Sequence, residues 1–174
     1  MKLVCAKSDL LNGVQIVSKA VPSKTTMSIL ECILIDASSG AEIKLIANDM
    51  ELGIETILEG EIIEKGIIAI NAKIFSEIVR KLPENDVVIE TNSNYMTTIT
   101  CEKSKFNIAG KSGEDFSYLP SIVKEQFIIL SQFTLKEIIR QTIFSIADNN
   151  SNKMMTGELF EVKDGKLTVV SLDG

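Results

Sequence analysis

The sequence predicts an α+β fold in which antiparallel sheet dominates. Three observations predict it. Short runs rich in Ile, Val and Thr follow one another between turn residues, and only three stretches carry apolar residues at helical spacing. The pattern also starts again after roughly 124 residues.

Taken in chain order, a strand at 2–6 leads into a helix at 7–20, where Leu10, Leu11, Val14, Val17, Ser18 and Val21 share one stripe. Strands at 30–37 and 41–47 flank Ser38-Ser39-Gly40, and further strands are expected at 52–62 and 66–70. A second helix at 72–82 carries Ile74, Phe75, Ile78, Val79 and Leu82. Asn71 can cap it, and Pro83 closes it because proline lacks an amide donor and disfavours helical geometry before it. Strands at 86–92, 95–102 and 104–110 follow, the first two joined through Asn92-Ser93-Asn94. The aromatic-rich turn at 116–121 marks a boundary, giving domains over 1–120 and 121–174. Beyond it come a strand at 124–130, a helix at 134–147 and strands at 157–163 and 166–172 around Asp164-Gly165, a pair that tolerates the positive φ of a tight turn. The third helix sets Leu135, Ile138, Ile139, Thr142, Ile143 and Ile146 on one stripe. Thr134-Leu135-Lys136-Glu137 has the form of a capping box.

The order strand, helix, loop, hairpin is thus expected twice. Leu11, Val14, Ile43, Leu45 and Asp49 fall opposite Leu135, Ile138, Leu167, Val169 and Asp173, which suggests a duplicated domain whose second copy stops at Gly174.

Composition narrows the chemistry. The 174 residues include no histidine, which excludes His triads, His general bases and His-rich metal sites. Cys5, Cys32 and Cys101 stand far apart without a CxxC pair, and are read as reduced, buried thiols of a cytoplasmic protein. Lys7 interrupts the N-terminal stretch before a secretory apolar run can form. With 18 Lys and Arg against 24 Asp and Glu, the net charge is −6. The three helical windows nevertheless hold Lys7, Lys19, Lys73, Arg80, Lys81, Lys136 and Arg140 against Asp9, Glu77 and Glu137. They carry +4 where the rest, with 11 basic and 21 acidic residues, carries −10. Lys24 follows the first helix. Lysine-rich helices without a recognition motif suit sequence-independent contact with DNA phosphates, and a compact ammonium on a flexible stem allows movement along the backbone.

These residues resemble a known family, the bacterial sliding clamp, the beta subunit of DNA polymerase III. The resemblance runs through Leu45-Ile-Ala-Asn-Asp-Met-Glu51, Ile70-Asn-Ala-Lys-Ile-Phe-Ser-Glu-Ile-Val-Arg-Lys-Leu-Pro83, Ser104-Lys-Phe-Asn-Ile108 with Asp115-Phe116, and Phe144-Ser-Ile-Ala147 leading to Leu172-Asp-Gly174. It implies a DNA-clamp fold of repeated domains, with antiparallel sheets outside and basic helices on the inner face of a ring. The ring is made by two chains head to tail. It further implies a processivity factor without catalytic residues or cofactors, partnered by duplex DNA, by itself, and by the polymerase III alpha subunit and the clamp loader. The chain then corresponds to a complete first domain and about half of a second, with a continuation resembling His-Arg-Leu expected after Gly174.

By this resemblance Lys24 and Lys73 approach the DNA backbone, with Lys7, Lys19, Arg80, Lys136 and Arg140 contributing. Phe106 and Ile108 take outward positions on the edge strand that meets the partner chain, with Ile74 and Ile78 on the neighbouring helix. Leu172 stands where a threonine bordering the partner-peptide pocket is common. Asn152-Lys153-Met154-Met155 stands where Arg and aromatic or Pro residues are usual.

Blander readings compete. Phe106 and Ile108 also suit the inner face of a sheet, and Met154 and Met155 the point where a loop turns into a core. Asp49, Glu51 and Asp173 suggest either a metal-dependent phosphoryl enzyme or turns that end strands. A β-rich adaptor with no DNA role is a third possibility, but gives no reason for basic helices.

Overall fold

The computed structural model describes residues 1–118, 127–148 and 152–174. The chain divides into two compact units, Met1–Ser121 and Ile122–Gly174.

The first unit is built from two halves of the same plan. β1 (Lys2–Ala6) runs without a loop into α1 (Lys7–Val17), followed by β2 (Cys32–Asp36), β3 (Ile43–Asn48), β4 (Gly53–Leu58) and β5 (Glu61–Glu64). Then β6 (Ile67–Asn71) runs into α2 (Ala72–Lys81), followed by β7 (Asp86–Thr91), β8 (Met96–Cys101), β9 (Ser104–Ala109) and the short β10 (Lys111–Ser112). The halves exchange strands. One antiparallel sheet has the order β5-β1-β7-β8-β9 and the other β10-β6-β2-β3-β4, so the strand preceding each helix lies beside the strand following the other helix. The β1-β7 and β6-β2 ladders thus join the halves, while the remaining ladders lie within one half or the other.

Between the sheets lies one apolar core. Leu3 of β1, Leu10 and Val14 of α1, Ile33 and Ile35 of β2, Ile70 of β6, Phe75 and Val79 of α2, and Ile89 and Ile99 of β7 and β8 are all buried in it. A smaller cluster of Cys32, Leu34, Ile46 and Ala69 sits on the opposite face of the second sheet, where Phe116 covers it. The strap carrying Phe116 is tied down by Asn48, whose amide donates to the Ser117 carbonyl at 2.7 Å. This is why β2 is buried on both faces and has no polar alternation.

The run expected as one strand at 52–62 is two strands in different sheets. The chain crosses between them at Glu59-Gly60. A Cβ on Gly60 would lie 2.6 Å from the Val4 carbonyl oxygen, so only glycine lets the crossing pass this close to β1. Asn71 caps α2 as expected, accepting from the Ile74 amide at 3.2 Å.

The second unit repeats the opening of the plan. α3 (Gln132–Thr142) precedes the hairpin of β11 (Leu159–Lys163) and β12 (Lys166–Val170), closed by Asp164 and Gly165, both at positive φ. A local device recurs as well. Ser18 donates its hydroxyl to the Val14 carbonyl at 2.6 Å, and Thr142, 124 positions later, donates to the Ile138 carbonyl at 3.0 Å. In both places the helix then tightens into a 3₁₀ turn, at Ser18–Ala20 and Ile143–Ser145, which is how a hydroxyl bonded to the carbonyl four residues back ends a regular helix.

Two expectations for this unit are corrected. The helix starts at Gln132, and its cap is Ser131, which accepts from the Thr134 amide at 3.0 Å; Glu137 pairs with Arg140 instead of closing a capping box. Of the strand expected at 124–130, residues 127–130 take part in no strand, and 124–126 lie outside the described residues.

All three cysteines are free and buried. Burial pushes the Cys5 thiol up to about 12, with Asp9 and Asp86 adding to the rise, and raises Cys32 and Cys101 as well.

Two outcomes follow from the core. Phe75→Ala, which empties a fully buried site, should cost about 3–5 kcal/mol in urea unfolding followed by circular dichroism. The folded state keeps a proton on Cys5 that the unfolded chain releases above about 9. Stability should therefore fall as pH rises from about 9 to about 12, by at most about 1.4 kcal/mol per pH unit from this group. Cys5→Ala should flatten that alkaline limb, and an unchanged limb would show that the thiol is not its source.

Candidate nucleic-acid interface

α2 shows how the fold sorts its charges. Ala72, Phe75 and Val79 at helical spacing face the core, which turns Lys73, Glu77, Arg80 and Lys81 to solvent. α1 packs beside it and buries Leu10, Gly13, Val14 and Val17. At Gly13 the approach is close: a Cβ there would lie 2.8 Å from Leu45 Cδ1.

Where the end of α1 meets α2, a hollow of about 200 Å³ is lined by Ser18, Val21, Ala72, Lys73 and Ser76. The Ser18 and Ser76 hydroxyl oxygens stand 3.4 Å apart across it. Lys19 is exposed in the 3₁₀ turn beside this hollow, and Lys24 is exposed in the loop that follows. Among the described residues, Lys19, Lys24, Lys73 and Arg80 form no ion pair within 4.0 Å. Their charge is thus available to an outside anion.

Two of the seven basic positions expected to contact DNA are otherwise engaged. Lys7 is buried at 8% exposure, and its ammonium pairs with Glu84. It belongs to the fold: the first residue of α1 is held against the turn after α2, where its amide also donates to the Asn85 carbonyl. Arg140 is exposed, but its guanidinium donates through two nitrogens to Glu137. Lys136 of α3 is exposed without such a partner among the described residues. The charge arithmetic therefore overstates the free positive charge, because pairing across 77 residues of chain, as in Lys7 with Glu84, leaves no local trace in a sequence.

The residues expected at an intersubunit edge separate. β9 is indeed an edge strand, and Phe106 on it is 37% exposed. Ile108 is not outward: it is 7% exposed within the core cluster. Both lie opposite buried residues of β8, Phe106 against Ile99 and Ile108 against Thr97, so both project to the core face, and Phe106 emerges where the cover thins. Ile74 is 49% exposed on α2, while Ile78 packs partly into the core.

In the second unit Leu172 lines a mainly apolar hollow of about 220 Å³ with Asn152, Met154, Met155, Gly157, Leu159, Val170 and Ser171. The two methionines are surface residues here: Met154 is exposed and Met155 half-buried at the rim, which overturns their reading as a core segment. Asp49 does what a turn residue does. Its carboxylate accepts from the Glu51 and Leu52 amides at 2.9 and 2.7 Å and ends β3. Among the described residues no group of three or more acidic, cysteine or histidine side chains is arranged to hold a metal ion.

The family model for the DNA polymerase III beta subunit, N-terminal domain, matches residues 1–120. The beta sliding clamp of Halalkalibacterium halodurans is 36% identical, over 99% of this chain and 47% of its own length. That of Bacillus subtilis is 34% identical, over 99% and 48%. The crystal structure of a putative DNA polymerase III beta subunit from Eubacterium rectale matches all of this chain and 47% of its own, with a TM-score of 0.94 and 71% identity. The sliding clamp structure from Bacillus subtilis gives 0.92 at 33% identity, over 99% and 47%. The chain thus spans about half the length of the relatives it matches.

Lys7→Met removes a charge from a pair, not from the exposed set. It should lower stability in urea unfolding while leaving affinity for a duplex oligonucleotide unchanged in fluorescence anisotropy. A loss of affinity equal to that of Lys73→Ala would contradict the assignment.

Proposed function

The chain belongs to the DNA polymerase III beta subunit family, and from that premise we propose that it forms the first domain, 1–120, and the opening of the second, 121–174, of a processivity clamp. The clamp encircles duplex DNA and tethers the replicative polymerase, so that rebinding becomes an event at high effective concentration. It is not an enzyme and uses no cofactor. The observation that carries this reading is the group of exposed cations, Lys19, Lys24, Lys73 and Arg80, on and beside the helices of a protein whose net charge is −6. An acidic exterior with a locally basic helical surface suits a phosphate backbone held without base contacts.

In this account Lys24 and Lys73 lead the contacts, and Lys136 adds to them from the second domain. Arg140 adds less while Glu137 holds it. The assembled protein is a head-to-tail homodimer. Phe106 and Ile74 offer exposed apolar contacts at the joint; Ile108 and Ile78 support them from the core. The hollow around Leu172 contributes part of the seat for peptides of the polymerase alpha subunit and the clamp loader, and its two methionines make that seat softer and more adaptable. The protein acts in the bacterial cytoplasm. No described helix is long and apolar enough to cross a membrane.

Duplex binding by the chain should be insensitive to sequence and should weaken steeply with salt, with a log–log slope of about −0.9 per phosphate contact. Lys24→Ala together with Lys73→Ala should flatten that slope by about 1.8 while leaving thermal unfolding unchanged. A slope unaltered by both changes would remove these residues from the interface. A marked preference among duplex sequences would remove the mechanism.

A further inference from the structure

The hollow between α1 and α2 holds a hydroxyl that the fold leaves almost unused. Ser18 commits its proton to the Val14 carbonyl at 2.6 Å, as Thr142 does to the Ile138 carbonyl. Ser76, in the middle of α2, makes no such bond to the carbonyl four residues back; among the described residues its hydroxyl has one polar neighbour, the Ser18 hydroxyl oxygen, at 3.4 Å. Bonds between hydroxyls are usually about 2.7–2.8 Å long, so this contact is weak. With the Ser18 proton committed, Ser76 is the member of the pair that can donate, and a closer acceptor would take its proton. Lys73 stands three residues earlier on the same helical face, lines the same hollow and forms no ion pair within 4.0 Å.

The walls decide which acceptor fits. No carboxylate lines this hollow, and Val21 and Ala72 form its apolar sides. A second hollow of the same volume, about 200 Å³, lies elsewhere along α1 and presents Asp9 and Glu59, which repel an anion. The first has no such charge. An ammonium and a hydroxyl that share one hollow suit a single anionic group with two free acceptor oxygens. About 200 Å³, against about 30 Å³ for each water in the liquid, gives a phosphate group room. Resting on the clamp reading, we propose that this hollow seats one phosphate of the duplex backbone, with the Ser76 hydroxyl and the Lys73 ammonium donating to its two non-bridging oxygens. A lysine attracts from a flexible stem, whereas a hydroxyl carried on a helix donates from a defined place, so the seat orients the backbone as well as holding it. It reads no base. Free inorganic phosphate offers the same acceptors, and the experiment separates the two sources.

Fluorescence anisotropy of a labelled duplex, titrated with the 174-residue chain between about 50 and about 200 mM salt, distinguishes the two donors. Ser76→Ala should lower affinity about tenfold at every salt concentration and leave the log–log slope unchanged, because a neutral donor releases no counterion. Lys73→Ala should instead flatten the slope by about 0.9. Ser76→Thr keeps the hydroxyl and should bind as the unsubstituted chain does; an equal loss in both Ser76 variants would point to disturbed packing and overturn the assignment. Inorganic phosphate, followed through the amide NMR signals of residues 72–76, should shift those signals weakly, and less in Ser76→Ala. Phosphate that fills the hollow more tightly than the duplex does would make a free anion the ligand and overturn the proposal. Duplex affinity unchanged in Ser76→Ala, with the slope still altered in Lys73→Ala, would remove the seat and leave the clamp reading standing. A slope indifferent to Lys73 would count against both.

Discussion

Everything in the first unit depends on the exchange of strands between its halves. β1 and β6 each lead directly into a helix, and each pairs on one side with a strand of the other half, β7 or β2, so both five-stranded sheets draw strands from both halves. Exchange also sets the helices. Both leave their strands without a loop, pack beside one another, and bury one face in the shared core. What remains outward on α2, and on the turn and loop after α1, includes Lys73, Arg80, Lys19 and Lys24, which form no ion pair within 4.0 Å among the described residues, with Glu77 also exposed on α2. The surface proposed for a polyanion is thus a by-product of how the core is closed: apolar residues at helical spacing claim one side, and charge is left the other.

The same constraint explains the second unit. Its helix, 3₁₀ turn and hairpin reproduce those of the first half down to a hydroxyl bonded four residues back, at Ser18 and at Thr142. Local chemistry is therefore sufficient for those parts. It is insufficient for 127–130, whose counterpart β1 is a strand only because β5 and β7 lie on either side of it. Helices and tight hairpins satisfy their own backbone; an isolated extended segment cannot.

That distinction also marks what the sequence reveals. The Asn71 cap, the Asp164-Gly165 turn and the duplication are local or periodic, and all three are legible in the residues. The α3 cap is ambiguous in the sequence because Ser131 and Thr134 offer the same chemistry three residues apart, and the apolar stripe begins only at Leu135. Lys7 and Ile108 lie further from reach. A lysine opening a basic helix looks like a DNA contact until Glu84 arrives from the turn after the other helix. Alternation puts Phe106 and Ile108 on one face of β9 without saying which side faces the core, and that is decided by the buried Thr97 and Ile99 opposite them on β8. For the site, Lys24 and Lys73 are legible as charges. The hollow between Ser18 and Ser76 is not, since its walls are 58 residues apart.

The central claim is that DNA is retained by enclosure, with the exposed cations supplying only weak, movable contacts. Its most direct measurement is the lifetime on DNA of a full-length clamp in which these 174 residues replace the matching part of a relative, loaded on a closed circle and on the same DNA after linearisation. The account predicts long retention on the circle and rapid loss from the free ends of the linear form. Equal lifetimes on the two would contradict it, however tightly the protein bound.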